Sequence, residues 1–459
     1  MINLAGRTLR SSFFHAPVRG EVAYLDDALV MVGADGIITH VLQPGDADYR
    51  DALAAAEDEE KLVTLPPEAV VLPGFVDLHI HAPQYAQLGQ ALDVPLEVWL
   101  EKYTFPLEAK YADVDFARPR YEALVADLLA GGTTTAVYFA TIHQAATRLL
   151  ADICLDKGQR ALVGKVAMDD PAGCPDYYRD ATAGAAIAET RALIDYIAAH
   201  PGNSTRRVLP VVTPRFIPSC TDAALEGLGR LAAEYNCHVQ THCSESDWAH
   251  GFGLARFGVT DTAALDGFNL LTRKTVLAHS NFITRDDMER IARRGAGVAH
   301  CALSNAYFAG AVFPLRAALE KGVHVGLGTD ISGGPSGSMF DAQRQAVVAS
   351  RLLESGVDPG LPVTTRGVPE SRIDLATAFH LATAGGGEVL DLPIGTFEVG
   401  KHFDAVMIDT AAADGGIRLF DAPPPAELLE KIIYTATRAN IAAVWVDGRM
   451  VAGPDVTSS

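Results

Sequence analysis

From about residue 73 onward, short apolar runs alternate with stretches in which apolar residues recur every three to four positions. The first pattern suits strands buried on both faces and the second suits amphipathic helices, so the alternation predicts βα units around a parallel sheet. The runs predict strands at Phe75–His81, Thr133–Phe139, Ala161–Met168, Arg207–Phe216, His238–His242, Thr275–His279, Gly297–Cys301 and His324–Asp330, with helices such as Thr221–Tyr235 and Arg285–Arg294 between them. Eight such strands predict a closed (β/α)8 barrel of the TIM type.

The texture changes at both ends. Residues 1–72 carry the apolar runs Ala28–Val32 and Ile37–Val41, broken by Gly33, Asp35, Gly36 and Pro44, and a similar pattern returns after about residue 395 in GTFEVGKHFDAVMIDT and AAVWVDGRMVAGP. The expected architecture is therefore α/β: a barrel over 73–395, flanked by a small β-sandwich-like domain that both termini build from 1–72 and 396–459. The acidic cluster Glu57-Asp58-Glu59-Glu60 reads as a solvated turn.

Composition narrows the function. At 459 residues and 49% hydrophobic, the chain can bury a large core, while its formal net charge of −20 disfavours nucleic acid phosphates and anionic lipid. A small-molecule partner fits better. Six cysteines stand far apart with no CxxC pair, so neither a disulfide framework nor a thiolate zinc site is indicated. The opening MINLAGRTLRSSFFHAP lacks the apolar core of a signal peptide, and no run approaches membrane-spanning length, so a cytoplasmic setting without membrane contact is expected.

The chemistry gathers at predicted strand ends. Asp77-Leu78-His79-Ile80-His81 closes the first barrel strand, where alternation points His79 and His81 the same way. An isolated HxH also occurs on ordinary strands. Here, however, His242 and Glu245 follow the fifth strand, His279 ends the sixth and Asp330 ends the eighth, all on the face where barrel active sites assemble. A core histidine, a helix cap or a turn would each explain one of these residues, but not their convergence. Three imidazoles and a carboxylate suit Zn²⁺, with Fe²⁺ or Mn²⁺ able to use the same donors. His79, His81, His242 and Asp330 are the expected ligands. The ion would activate a water towards an sp² carbon bearing an amino group. Asp330 would accept the water proton, Glu245 would protonate a ring nitrogen and the departing ammonia, and His279 would orient the water or hold the developing oxyanion.

At these residues the chain resembles the amidohydrolase superfamily, and PGFVDLHIHAPQY (Pro73–Tyr85) is similar to the zinc-site opening of its guanine deaminases. LEVWLEKYTFPLEAKY, GGTTTAVYFATIH, GQRALVGKVAMD, VTPRF and GLGTDISGG resemble segments of that family in the same order, so the likeness spans nearly the whole chain. The resemblance implies one catalytic zinc, a homodimer and hydrolysis of guanine to xanthine and ammonia. It also implies a purine pocket formed by Gln84, Arg215, Phe216, His242, Glu245 and Asp330, in which Gln84 and Arg215 hydrogen-bond a lactam and Phe216 covers the flat ring. Trp99 is a further wall candidate, though an aromatic in an apolar stretch is more often core.

One departure stands out. The family's Pro-x-Ser-Asn-Leu type run after the seventh strand is replaced by Cys301-Ala302-Leu303-Ser304-Asn305-Ala306, which bears on substrate preference. A binuclear site would need a bridging lysine on the fourth strand, and RVLPVVTPRF has none; Lys165, on the third, reads as an ordinary residue. Deamination of a pterin, 8-oxoguanine or a triazine is the alternative activity. A binding protein that has lost catalysis is the alternative class, though no ligand or acid is missing. The cysteine-ligated deaminases are excluded by the absence of HxE followed by PCxxC.

Overall fold

The computed structural model describes residues 3–454, so residues 1, 2 and 455–459 of the expected terminal domain lie outside the described residues. Eight parallel strands pair in sequence order: Phe75–His81, Thr133–Phe139, Arg160–Gly164, Val208–Pro214, His238–Cys243, Thr275–His279, Gly297–His300 and His324–Leu327. A short piece, Val166–Ala167, extends the third strand beyond Lys165 and pairs with the fourth. The seam closes where Asp330 N donates to His79 O and His81 N donates to Ile331 O, both at 2.8 Å. Every residue of the first two strands is buried, as a strand covered by helices outside and side chains inside must be.

Several predicted strands overrun the observed ones at their C-terminal ends. Pairing stops there because the backbone turns to deliver side chains into the barrel mouth. Ser244, His279 and Asp330 adopt left-handed φ values of 45°, 67° and 52°, costly for residues with a Cβ and common at functional sites. The helix expected from Thr221 begins at Asp222, because the Thr221 hydroxyl caps it by accepting from Ala224 N. Arg285–Arg294 stands as expected, opened by a Thr284–Asp287 capping box and closed by Gly295 at φ 66°.

The terminal segments form one mixed eight-stranded sheet. Its path runs Arg449–Ala452, Ile441–Val446, Ala405–Asp409, Ala69–Pro73, Thr8–His15, Ala23–Val32 and Ile38–Leu42, with Leu62–Thr64 beside Thr8–His15. Alternation divides these strands between two cores. Phe13, Val71, Ala405 and Trp445 face the sheet's own core, while Phe14, Val70, Leu72, Val406, Val444 and Val446 join the main core with the barrel helices. Both faces are thus covered.

A buried ion cluster ties the sheet to the barrel floor. Arg160 donates to Asp404 at 3.0 Å and to Asp447 at 2.6 Å, and Asp447 also accepts from Arg207 at 3.0 Å and pairs with His402 at 2.7 Å. The N-terminal segment contains a helix that strand patterning did not suggest, Tyr49–Asp58. Its run of alanines is helix-forming, but the helix is short and buries only Tyr49 and Ala56. Glu57 and Asp58 end this helix and Glu59–Glu60 form the exposed turn after it. Among the described residues no helix is long and apolar enough to cross a membrane, and all six cysteines are free.

Candidate active site

The strand ends converge as their polar tips foretell. His79 Nε2 lies 3.2 Å and His81 Nε2 3.6 Å from Asp330 Oδ1, while His81 Nε2 and His242 Nε2 face each other at 3.0 Å. Ligand-capable atoms of His79, His242 and His279, and of His79, His81 and Asp330, lie within 4.8 Å of one another. Two local features make this approach feasible. A Cβ at Gly328 would stand 2.9 Å from both His79 Cβ and Cys301 Sγ, so only glycine lets the last strand pass this close. Asp77, which the motif carried without an assigned role, is fully buried and accepts from Thr329 N at 3.0 Å, Thr329 Oγ1 at 2.5 Å and His79 N at 3.2 Å. It fastens the strand bearing Asp330 to the strand bearing His79.

The donor chemistry fits one divalent metal. Burial, reinforced by neighbouring positive groups, holds the pKa values of His79, His81 and His242 well below the ordinary imidazole value, so the rings are neutral and carry lone pairs. His242 Nδ1 lies 2.6 Å from the Arg215 carbonyl, which can only accept; the proton therefore sits on Nδ1 and the Nε2 lone pair turns to the cluster. His79 Nε2 and His279 Nε2 are buried without a hydrogen-bond partner in the protein. Buried polar atoms seldom stay unsatisfied, and an ion held by His79, His81, His242 and Asp330 would satisfy the first of them.

Beside the cluster opens a cavity of about 390 Å³, including its mouth. His81, Gln84, Arg215, Phe216, His242, Glu245 and Asp330 line it, while His79 and His279 lie buried against it at 1% and 0% exposure. His279 Nδ1 faces Asn305 Oδ1 at 2.9 Å, leaving Nε2 as an acceptor 3.7 Å from Glu245 and 3.9 Å from Asp330. Burial first, then the nearby Asp330 charge, raises the Glu245 carboxyl to about 8, with Arg215 opposing. A dication in the cluster would lower it again, leaving an acid able to give and take a proton near neutrality.

Leu96, Leu100 and Phe308, which escaped the sequence reading, complete the wall together with Trp99. Trp99 is both core, at 3% exposure, and cavity lining, its ring 5.0 Å from that of Phe308. Glu108 was also missed: it is fully buried and grips Arg215 through two hydrogen bonds of 2.6 and 3.1 Å. Lys165, read as ordinary, is completely buried and ion-paired with Asp180, away from the cavity lining.

Residues 70–451 match the model of the Amidohydrolase family. A probable guanine deaminase from Schizosaccharomyces pombe is 39% identical over 86% of this chain and 74% of its own length. A guanine deaminase from Dictyostelium discoideum is 34% identical over 97% of this chain and 98% of its own. Among solved structures, guanine deaminase from C. acetobutylicum with guanine bound in its active site superposes with a TM-score of 0.85 at 29% identity, covering 97% of this chain and 99% of that one.

Proposed function

This chain belongs to the amidohydrolase family, and from that premise we propose that it hydrolyses guanine to xanthine and ammonia. The observation that carries the reading is the single cavity in which the histidine–aspartate cluster, Glu245, Gln84, Arg215 and Phe216 meet. The whole-length likeness to guanine deaminases supports the choice of purine.

His79, His81, His242 and Asp330 would hold the metal, which we take to be zinc. When bound, such an ion makes water a nucleophile near neutral pH, lowering its pKa from about 15.7 towards about 7. The protein's own groups do the rest. Arg215 and Gln84 present donors to the lactam edge, and Phe216, Trp99 and Phe308 sandwich the flat ring and exclude solvent. His279, with its Nδ1 proton fixed by Asn305, offers Nε2 to orient the attacking water. Asp330 takes the first water proton. Glu245 gives its proton to the ring nitrogen beside the attacked carbon, collects the second proton of the attacking water and passes it to the leaving amine, and regains a proton from Asp330 at the end of the cycle. One bond forms between carbon 2 and the water oxygen, and the bond to the exocyclic amine breaks. Of the two water protons, one ends on the ring nitrogen and the other on ammonia.

The test is ammonia release and the ultraviolet change of guanine to xanthine by the purified protein, with metal content measured in parallel. Guanine turnover with one zinc per chain is expected. Turnover confined to a pterin, 8-oxoguanine or a triazine would overturn the substrate, and absence of both metal and ammonia release would overturn the enzyme. A homodimer, carried over from the family resemblance, and a cytoplasmic setting, suggested by six free thiols, belong to the same reading.

A further inference from the structure

Glu108 is a buried carboxylate that neither binds the metal cluster nor lines the cavity, yet it touches both residues that would read the lactam. Oε2 accepts from Arg215 Nη1 at 2.6 Å; Oε1 accepts from Arg215 Nη2 at 3.1 Å and from Gln84 Nε2 at 2.8 Å. Gln84 is completed on its other side by Ser332 N, which donates to Oε1 at 3.3 Å. The Phe105 ring lies 5.0 Å from the guanidinium carbon, so Arg215 is held by a carboxylate and an aromatic face together. Arg215 and Glu108 expose 2% and 0% of their side chains. At that depth a lone guanidinium would be a strong, poorly screened cation, whereas the pair is electrically neutral.

Substrate and product differ in just this respect. Guanine carries one lactam and is neutral near pH 7. The product carries a second carbonyl and a ring N–H beside it that is more acidic and gives up its proton as the pH rises above neutrality. Resting on the guanine reading, we propose that Glu108 is a positioning residue that sets the charge of the purine pocket: it aims Arg215 and Gln84 at a neutral lactam while cancelling the guanidinium charge, so that the anionic form of the dioxopurine product is not retained. Arg215 thereby recognises by hydrogen-bond geometry rather than by net charge.

The experiment compares wild type, Glu108→Gln and Glu108→Asp by calorimetric binding of xanthine and of hypoxanthine, a lactam that stays neutral, at pH 6 and pH 8.5, alongside kcat and KM for guanine. For Glu108→Gln we expect xanthine affinity to rise at least tenfold relative to hypoxanthine at pH 8.5 and little at pH 6, with a raised guanine KM. Glu108→Asp keeps the charge and should restore the wild-type xanthine-to-hypoxanthine ratio, even where its shorter reach leaves KM high. A merely structural role would weaken both ligands together at both pH values. That result, or an aspartate variant that traps xanthine as the glutamine variant does, would overturn the proposal. Wild-type binding of both ligands without guanine turnover would instead sink the assigned activity, leaving the charge comparison readable.

Discussion

Replacing Lys165 with methionine asks whether the buried ammonium is a charge partner or a disguised metal bridge. Lys165 Nζ is ion-paired with Asp180 and lies 3.4 Å from Glu189, with its side chain at 0% exposure. Asp180 Oδ2 also accepts from Met168 N at 2.9 Å, and burial raises its carboxyl above the ordinary value even with Lys165 beside it. Methionine keeps the apolar stem and removes the charge, leaving Asp180 uncompensated, a change that ordinarily costs about 3–5 kcal/mol. Protonation is the escape. Loading a proton onto a carboxyl of ordinary pKa costs about 1.4 kcal/mol per pH unit, which caps the penalty near ~4 kcal/mol at pH 7 and ~1.5 kcal/mol at pH 5. The sign follows: in the variant the folded carboxyl has the higher pKa, the folded chain binds more protons than the unfolded one, and stability relative to wild type falls as pH rises. Urea unfolding of Lys165→Met against wild type at pH 5 and pH 7 should show the deficit growing with pH, by at most about 2.5 kcal/mol because Asp180 is already raised in the wild type. Lys165→Met/Asp180→Leu, which removes both charges, should recover most of it. A deficit that ignores pH would refute the charge-partner account, and loss of metal from the single variant would make Lys165 a ligand.

Glu245→Gln should keep its metal and lose turnover by about 10²-fold or more, whereas His242→Ala should lose the metal itself; unimpaired turnover in the first would remove Glu245 from proton transfer. For Arg215→Ala, a higher guanine KM with metal retained is expected from steady-state kinetics, and an unaffected KM would point to another heterocycle. At the barrel floor, burial would raise the Asp447 carboxyl, but the His402 hydrogen bond and the charges of Arg160 and Arg207 outweigh it and hold it well below the ordinary value. Its contribution is therefore complete above about pH 4 and lost only as pH falls further, so Asp447→Asn should lower the unfolding midpoint at pH 7 and narrow its gap to wild type in acid.

What could be read from the sequence divides along a physical line. The histidine–aspartate cluster was legible because His79, His81, His242, His279 and Asp330 each interrupt or end an apolar run at a strand tip and all fall on one face of the barrel. Asp77 sits in the same motif, but its task is to receive Thr329 from a strand some 250 residues away, and no local pattern encodes that pairing. Glu108 was hidden differently. The segment from Leu96 passes through a widened turn at Leu100–Thr104 before the short helix Phe105–Ala109. The break destroys the 3.6-residue register that would have placed Glu108 relative to Trp99, so it looked like one acidic residue among several.

The cavity's two aromatic walls share that irregularity. Trp99 precedes the widened turn at Leu100–Thr104, and Phe308 lies within a second such turn, Asn305–Ala309, reached through the run after Cys301 that departs from the family pattern. Asn305, at the start of that turn, still stands 2.9 Å from His279 Nδ1, so the altered run leaves the support of His279 intact. Its effect falls one turn later, where Phe308 meets Trp99. Metal and proton chemistry thus rest on strand ends fixed by the barrel, while the shape of the pocket rests on two loop segments whose backbone can be redrawn independently. A change of preferred heterocycle therefore requires only a change at Trp99, Phe308 or the Glu108 clamp, and the ligand cluster would survive it.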